Sequence, residues 1–271
     1  MALPTRFWRD LAWTDFASLP PDTVAVLPLA AIEQHGPHLP VSVDAAINEA
    51  LVARMLARLP PDFPALVLPT QEIGCSVEHL RYPGTLTATP ETLIALWTGI
   101  GHSVARAGVR RLVLLNSHGG QVSIMDIVAR RLRIEAGLFC TAAHWPRLGY
   151  PPGLVAEHEA RFGIHAGQVE TAMMLAIRPD LVRMDRARDF RSAWAAAGPQ
   201  LAPGGGAAPA WQAQDLTSAG AVGDAAAATP ALGEALLDHA AAGLAALLHE
   251  VRGFDIQAWL GQEPRGDAHA T

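Results

Sequence analysis

The sequence predicts an α/β fold with a mainly parallel sheet covered by helices on both faces. Four short apolar runs have the length of buried strands: TVAVLPL at 23–29, ALVLP at 65–69, RLVLLN at 111–116 and LFCTAA at 138–143. Helical patterns lie between them, so strand and helix alternate. That alternation requires right-handed crossovers, which lay helices against both faces of a parallel sheet.

Each helix has its own signal. Residues 46–59 place Ile47, Leu51, Met55 and Leu59 four apart, on one helical face. Thr89, Pro90 and Glu91 supply an N-cap, a preset first helical position and an acidic first turn before Leu93, Leu96, Ile100 and Val104. A third helix follows Gly120 with Val122, Met125, Val128 and Leu132, and Thr229-Pro230 opens another with Leu232, Leu236, Leu244 and Leu247. Residues 192–228, rich in Ala, Gly and Pro, show neither period and read as a loop or arm.

The 271 residues suit a single α/β domain, 1–271, with a flexible tail at 262–271. Half the residues are hydrophobic and 17% are charged, a scarcity that suggests surface buried between subunits. A net charge of −6 without a basic block offers no footprint for nucleic acid or an anionic membrane, which leaves a small molecule as the expected partner. Arg6, Arg9 and Asp10 interrupt the apolar N-terminus, so no export signal is read there. Cys75 and Cys140 are too few for a disulfide framework, and a reducing cytoplasm fits.

The chemistry concentrates in two loops. AIEQHGPHLPVSVD, residues 31–44, holds Glu33, His35, His38 and Asp44 with no Lys or Arg, and follows the first strand. NSHGG, residues 116–120, follows the third and carries His118. Ligands in such sheets gather at the carboxyl ends of the strands, where these loops meet. Glu33 and His35, two apart on extended chain, project to one side. Taken singly, each is more often a satisfied polar loop residue. Together, two carboxylates and two imidazoles form a mixed O/N set suited to Zn²⁺, Mn²⁺ or Fe²⁺ and poorly suited to Ca²⁺.

LPLAAIEQHGPHLPVSVD, LLNSHGGQ and HAGQVETAMML closely resemble the three signatures of the creatininase family of metal-dependent amidohydrolases, in the same order. EHLRYPGTLT (78–87) and DLTSAGAVGDAAAAT (215–229) extend the resemblance over most of the chain. It implies a three-layer α/β/α sandwich and a hexameric homo-oligomer. It also makes Glu33, His35, Asp44 and His118 ligands of two divalent ions, Zn²⁺ or Mn²⁺ with Fe²⁺ also admissible, bridged by Asp44. Dications would complete the loop's uncompensated negative charge. Creatininase has a glutamate ligand two residues after the third-strand histidine, where this chain has Gly120; Glu170 is the expected replacement, although an acid in a first helical turn also serves the helix dipole.

The same resemblance makes His165 the proton-carrying catalytic residue. Glu78, His79, Trp145 and Arg161 are candidate substrate contacts, Arg161 standing where creatininase has a second clamping tryptophan. His38 is expected to shape the pocket without binding metal, and His102, His239 and His249 to lie on helices away from it. The implied activity is hydrolysis, by a metal-activated water, of an amide or related C–N bond in a small molecule, cyclic ones included. Deformylases, cyclic ketose hydrolases and peptide-maturing peptidases share the signatures and are the alternatives. A structural metal scaffold is less consistent with so many carboxylates.

Overall fold

The computed structural model describes residues 3–196, 201, 207 and 209–260. The expected tail at 262–271 and part of the expected arm lie outside the described residues. Within them, the elements are β1 (Val24–Leu29), α1 (Val43–Arg58), β2 (Ala65–Val67), α2 (Pro90–Arg106), β3 (Arg111–Asn116), α3 (Val122–Ala136), β4 (Phe139–His144), α4 (Glu157–Phe162), α5 (Gln168–Ile177), β5 (Asp189–Phe190), α6 (Ala213–Leu216), β6 (Gly223–Asp224), α7 (Pro230–Gly253) and α8 (Ile256–Leu260), joined by short 3₁₀ turns.

Strands β1 to β4 form one parallel sheet in the order β2-β1-β3-β4. The paired central strands are buried on both faces, which is why they read as unbroken apolar runs rather than alternating ones. Alternate residues of β1 nevertheless enter different cores. Val24 and Val26 pack with α1, α5 and α7, including Ile47, Met173, Leu237 and Leu244. Ala25, Leu27 and Leu29 pack on the other face with α2 and α3, around Trp97, Val104, Met125 and Leu132. Trp97 is thus a fully buried core residue.

The helix starts follow local chemistry. The Thr89 hydroxyl accepts from Thr92 N at α2, Thr229 does the same for Leu232 at α7, and each cap precedes a proline at a position that needs no donor. Helix α3 ends on Gly137 at φ 65°, the left-handed conformation glycine adopts without penalty. Helix α7 is long and apolar enough to cross a membrane, but Leu236, Leu237, Ala240, Leu244 and Leu248 lie in the core against α1 and α5. Its apolarity therefore has a use inside the fold.

The parallel sheet directs β1 and β3 the same way, so residues 30–44 and 117–121 leave from one edge. Segment 165–170 reaches that edge at the start of α5, and 213–224 folds over it, with Val222 N donating to His165 O at 2.8 Å. The late segment thus contains a short helix and a strand paired with β5.

Candidate metal centre

Each side chain of the cluster is placed by a backbone contact. Glu33 N bonds Val41 O at 2.9 Å, closing the loop that returns the chain to α1 and puts Asp44 in that helix's first turn. The Asp44 carbonyl accepts from Ser117 Oγ at 2.8 Å, tying the start of α1 to the β3 loop. Asn116 holds the next turn through its Oδ1, which accepts from His118 N at 3.0 Å and from Gln121 Nε2 at 2.8 Å. Glu170 lies in the first turn of α5, and its carboxylate accepts from Ala166 N at 2.5 Å. Ala166 has φ 55°, a left-handed conformation uncommon outside glycine, and this strain turns the chain sharply between His165 and Glu170.

The sequence-predicted ligands converge. His118 Nδ1 is 3.2 Å from Glu33 Oε1 and 3.8 Å from Asp44 Oδ2. His35 Nε2 is 3.9 Å from Asp44 Oδ2 and 3.8 Å from Glu170 Oε2. His165 Nδ1 lies 3.6 Å from Glu33 Oε1, and the His35 and His165 rings are 4.2 Å apart. Three sets have ligand atoms mutually within 4.8 Å: Glu33, His35 and Asp44; His35, His165 and Glu170; Glu33, His79 and His165.

The hydrogen-bond pattern tests whether cations fit. His35 Nδ1 bonds the Glu33 carbonyl at 3.0 Å, His118 Nε2 bonds Cys75 O at 2.8 Å and His165 Nε2 bonds Gln34 O at 2.7 Å. A carbonyl only accepts, so each of these nitrogens carries a proton, and the other nitrogen of each ring, which faces carboxylates, is the one that can meet a cation or hold a second proton. Lone pairs facing lone pairs in a dry site need a cation or proton between them. Glu33 Oε2, His35 Nε2 and Asp44 Oδ2 are buried without a hydrogen-bond partner, as ligands awaiting an ion would be.

The ionisation pattern agrees. Burial and the Glu33 charge push the Asp44 carboxyl well above the usual range. Burial also acts on Glu33, but His118, His79 and His165 outweigh it and hold that carboxyl well below its usual value. Burial would depress His118, yet Glu33 and Asp44 raise it well above the ordinary imidazole range, so in a metal-free protein a proton balances the carboxylates. His35, buried and beside His165, is lowered well below that range. Burial raises Glu170.

The other candidates fall in different places. His79 belongs to the cluster: its Nε2 is 3.4 Å from Glu33 Oε1 and its ring 4.4 Å from that of His165. Glu78 lies on the far side of His118, 3.7 Å from Nε2, in the space a side chain at position 120 would fill; a Cβ on Gly120 would meet Glu78 Oε1 at 2.0 Å. His38 turns away, bonding Thr171 Oγ1 at 2.9 Å and stacking on Phe190. Trp145 is buried in the α7-side core, edge-on to Tyr150. Arg161 is exposed, with its guanidinium over the Phe162 ring. His102 pairs with Glu135, and His249 meets Phe63 edge-on, both outside the cluster.

Two residues that the sequence did not single out also shape the site. Gln34 bonds His79, Gly36 and Gly220. Glu159 is buried, accepts from Gln168 N at 2.7 Å and Asp224 N at 2.9 Å, and so fastens the His165 loop to β6. Gly163, Gly167 and Gly223 leave room for its carboxylate: a Cβ on any of them would lie within 2.5 Å of Oε1. That recurrence of glycine was the available signal.

Residues 9–248 match the family model Creatininase, described as creatinine amidohydrolase. The chain is 34% identical over 183 residues to the mycofactocin precursor peptide peptidase of Mycobacterium ulcerans (strain Agy99), covering 65% of this chain and 68% of the relative. It is 31% identical over 205 residues to the creatinine amidohydrolase of Pseudomonas putida, covering 68% and 76%. A solved mutant creatininase described as Zn-Zn type superposes with a TM-score of 0.74 at 27% identity, over 92% of this chain and 99% of that one.

Proposed function

Because the chain belongs to the creatininase family and is a hydrolase of that family, we propose that it uses two dications and a water to hydrolyse a C–N bond of a small molecule. Glu33, His35, Asp44, His118 and Glu170 would hold the ions, with Asp44 between them, its Oδ2 3.9 Å from His35 Nε2 and 3.8 Å from His118 Nδ1. One observation carries this: His35 and His118 each commit one ring nitrogen to a carbonyl and turn the other toward Glu33, Asp44 and Glu170 in a buried cluster, where a cation can take the place of a proton. The mixed carboxylate and imidazole set, together with the Zn-Zn type relative, supports zinc; manganese suits the same donors.

Held by these residues, two dications would supply an activated water and a polarised carbonyl oxygen. The chain's own residues do the rest. His165 is anchored through Nε2 to Gln34 O, so Nδ1 is the nitrogen left to carry a proton to the departing amine as the C–N bond breaks. The hydrogen bonds that Glu159 accepts from Gln168 N and Asp224 N keep that loop in place. Glu78, His79, Trp145 and Arg161 are the proposed contacts with substrate or its approach, Arg161 suiting a carboxylate or phosphate. The family reading also includes a cytoplasmic, hexameric assembly, in keeping with the low charge content.

A second reading changes the substrate to a peptide. The relative at 34% identity is a precursor peptide peptidase, whereas the creatinine amidohydrolase is 31% identical. The zinc- or manganese-loaded enzyme, assayed against creatinine, other cyclic and linear small amides and short peptides, separates the two. The proposal expects turnover of a non-peptide amide and a kcat/KM for creatinine below about 10⁴ M⁻¹s⁻¹. Turnover confined to peptides would replace the first reading by the second.

A further inference from the structure

Four histidines surround the Glu33 carboxylate region, and one of them is held differently from the rest. His35, His118 and His165 each meet a backbone carbonyl. His79 instead meets an amide nitrogen: its Nδ1 lies 2.8 Å from Gln34 Nε2.

The orientation of the Gln34 amide is fixed by its other partners. Gly36 N, which can only donate, is 2.9 Å from Oε1, and Gly220 O, which can only accept, is 2.8 Å from Nε2. Gly220 has φ +74°, and a Cβ there would sit 2.5 Å from Gln34 Oε1, so glycine admits this close approach. The two Nε2 hydrogens are then spent on Gly220 O and His79 Nδ1. His165 Nε2 also lies 3.3 Å from Gln34 Nε2, but its proton goes to Gln34 O at 2.7 Å, so that contact is between two donors.

We infer that Gln34 is a positioning residue that bars His79 from metal binding and makes it a hydrogen-bond donor to Glu33. With Nδ1 accepting, neutral His79 carries its proton on Nε2, the nitrogen that lies 3.4 Å from Glu33 Oε1. The neighbouring His165 presents a bare nitrogen to the same oxygen. Two adjacent rings, 4.4 Å apart and tilted by 33°, therefore do opposite work on one carboxylate: His79 presents a proton to Oε1, and His165 leaves it to a cation or a transferred proton. Gln34 acts through His79, orienting Glu33 so that Oε2 remains available. The consequence for metal binding rests on the function proposed above; the proton position on His79 does not.

Nitrogen-15 spectra of the histidine rings, recorded on the full chain with and without zinc, test this. In both states His79 is expected to show a bare Nδ1 and a protonated Nε2, while His35 and His118 shift on adding zinc. Gln34→Glu removes the donor, so the proton on His79 should appear at Nδ1. A wild-type His79 protonated at Nδ1, or one whose Nε2 loses its proton to zinc, would overturn the inference. So would a folded Gln34→Glu protein with the wild-type His79 pattern. If that variant does not fold, the wild-type spectra still decide. Failure to bind any zinc, with the His79 pattern as expected, would count against the metal reading while upholding the role of Gln34.

Discussion

His118 donates through Nε2 to Cys75 O and thereby turns Nδ1 to within 3.2 Å of Glu33 Oε1. The two residues come from loops after different strands, so the contact exists only because β1 and β3 are parallel neighbours paired through Leu29 and Asn116. With Asp44 Oδ2 only 3.8 Å from the same nitrogen, the arrangement is stable with a cation or a proton at its centre.

Asp44→Asn should therefore lose metal and activity together. A neutral amide cannot balance two dications, and the affinity loss should exceed the roughly 10–100-fold that removing an outer-shell partner costs. Calorimetric titration with zinc, alongside turnover, checks it. Full activity at normal occupancy would rule out Asp44 as the bridge.

Glu170→Gln is expected to weaken one ion selectively, because Glu170 stands beside His35 rather than His118. About half the metal should remain after dialysis, with little turnover. Retention of both ions at wild-type affinity would make Glu170 only a first-turn acid that accepts from Ala166 N.

Position 120 offers a third test. A Cβ there would lie 2.0 Å from Glu78 Oε1 and 2.6 Å from His118 Nε2. Glu78 is the end of a flexible side chain and can swing aside; His118 cannot yield without losing Cys75 O. Gly120→Ala should fold, with stability down by about 1–3 kcal/mol, and bind zinc at least about tenfold more weakly. Glu78→Ala leaves His118 anchored and should bind zinc nearly normally. Equal affinities for the two variants would refute the crowding argument.

Much of the site was legible because its candidate ligands are contiguous or sit in compact motifs. Glu33, His35 and Asp44 share one loop without a basic residue, and His118 ends an obvious buried strand. The rest depends on chain reversals with no periodic signal. His79 reaches Glu33 from a 3₁₀ turn (Val77–His79), and its depth could not be read from spacing. Gln34 is uncharged and lies between two stronger candidates, so its three partners, one of them at Gly220, became visible only in three dimensions. The fold itself followed from alternation and capping, whereas the paired β5 and β6 are two residues each and too short to carry a pattern.

A pH dependence follows from His38. Burial lowers its pKa from 6.5 to about 4, so the unfolded chain binds the extra proton first. Stability from this group is complete above pH 6.5 and is lost as the pH falls toward 4. At about 1.4 kcal/mol per unit between those values, its share is at most about 3.5 kcal/mol. Denaturant unfolding of chelator-treated protein between pH 7 and 4 should show a steep loss that His38→Asn flattens. An unchanged slope in the variant would mean that His38 is not titrating as a buried neutral ring.

The most direct test of the account is the metal content of the wild-type chain, stripped by chelator, reloaded with zinc and dialysed, then measured by mass spectrometry against protein concentration. The carboxylate and histidine cluster predicts two ions per chain. One ion or none, in a protein whose fold is intact, would contradict it.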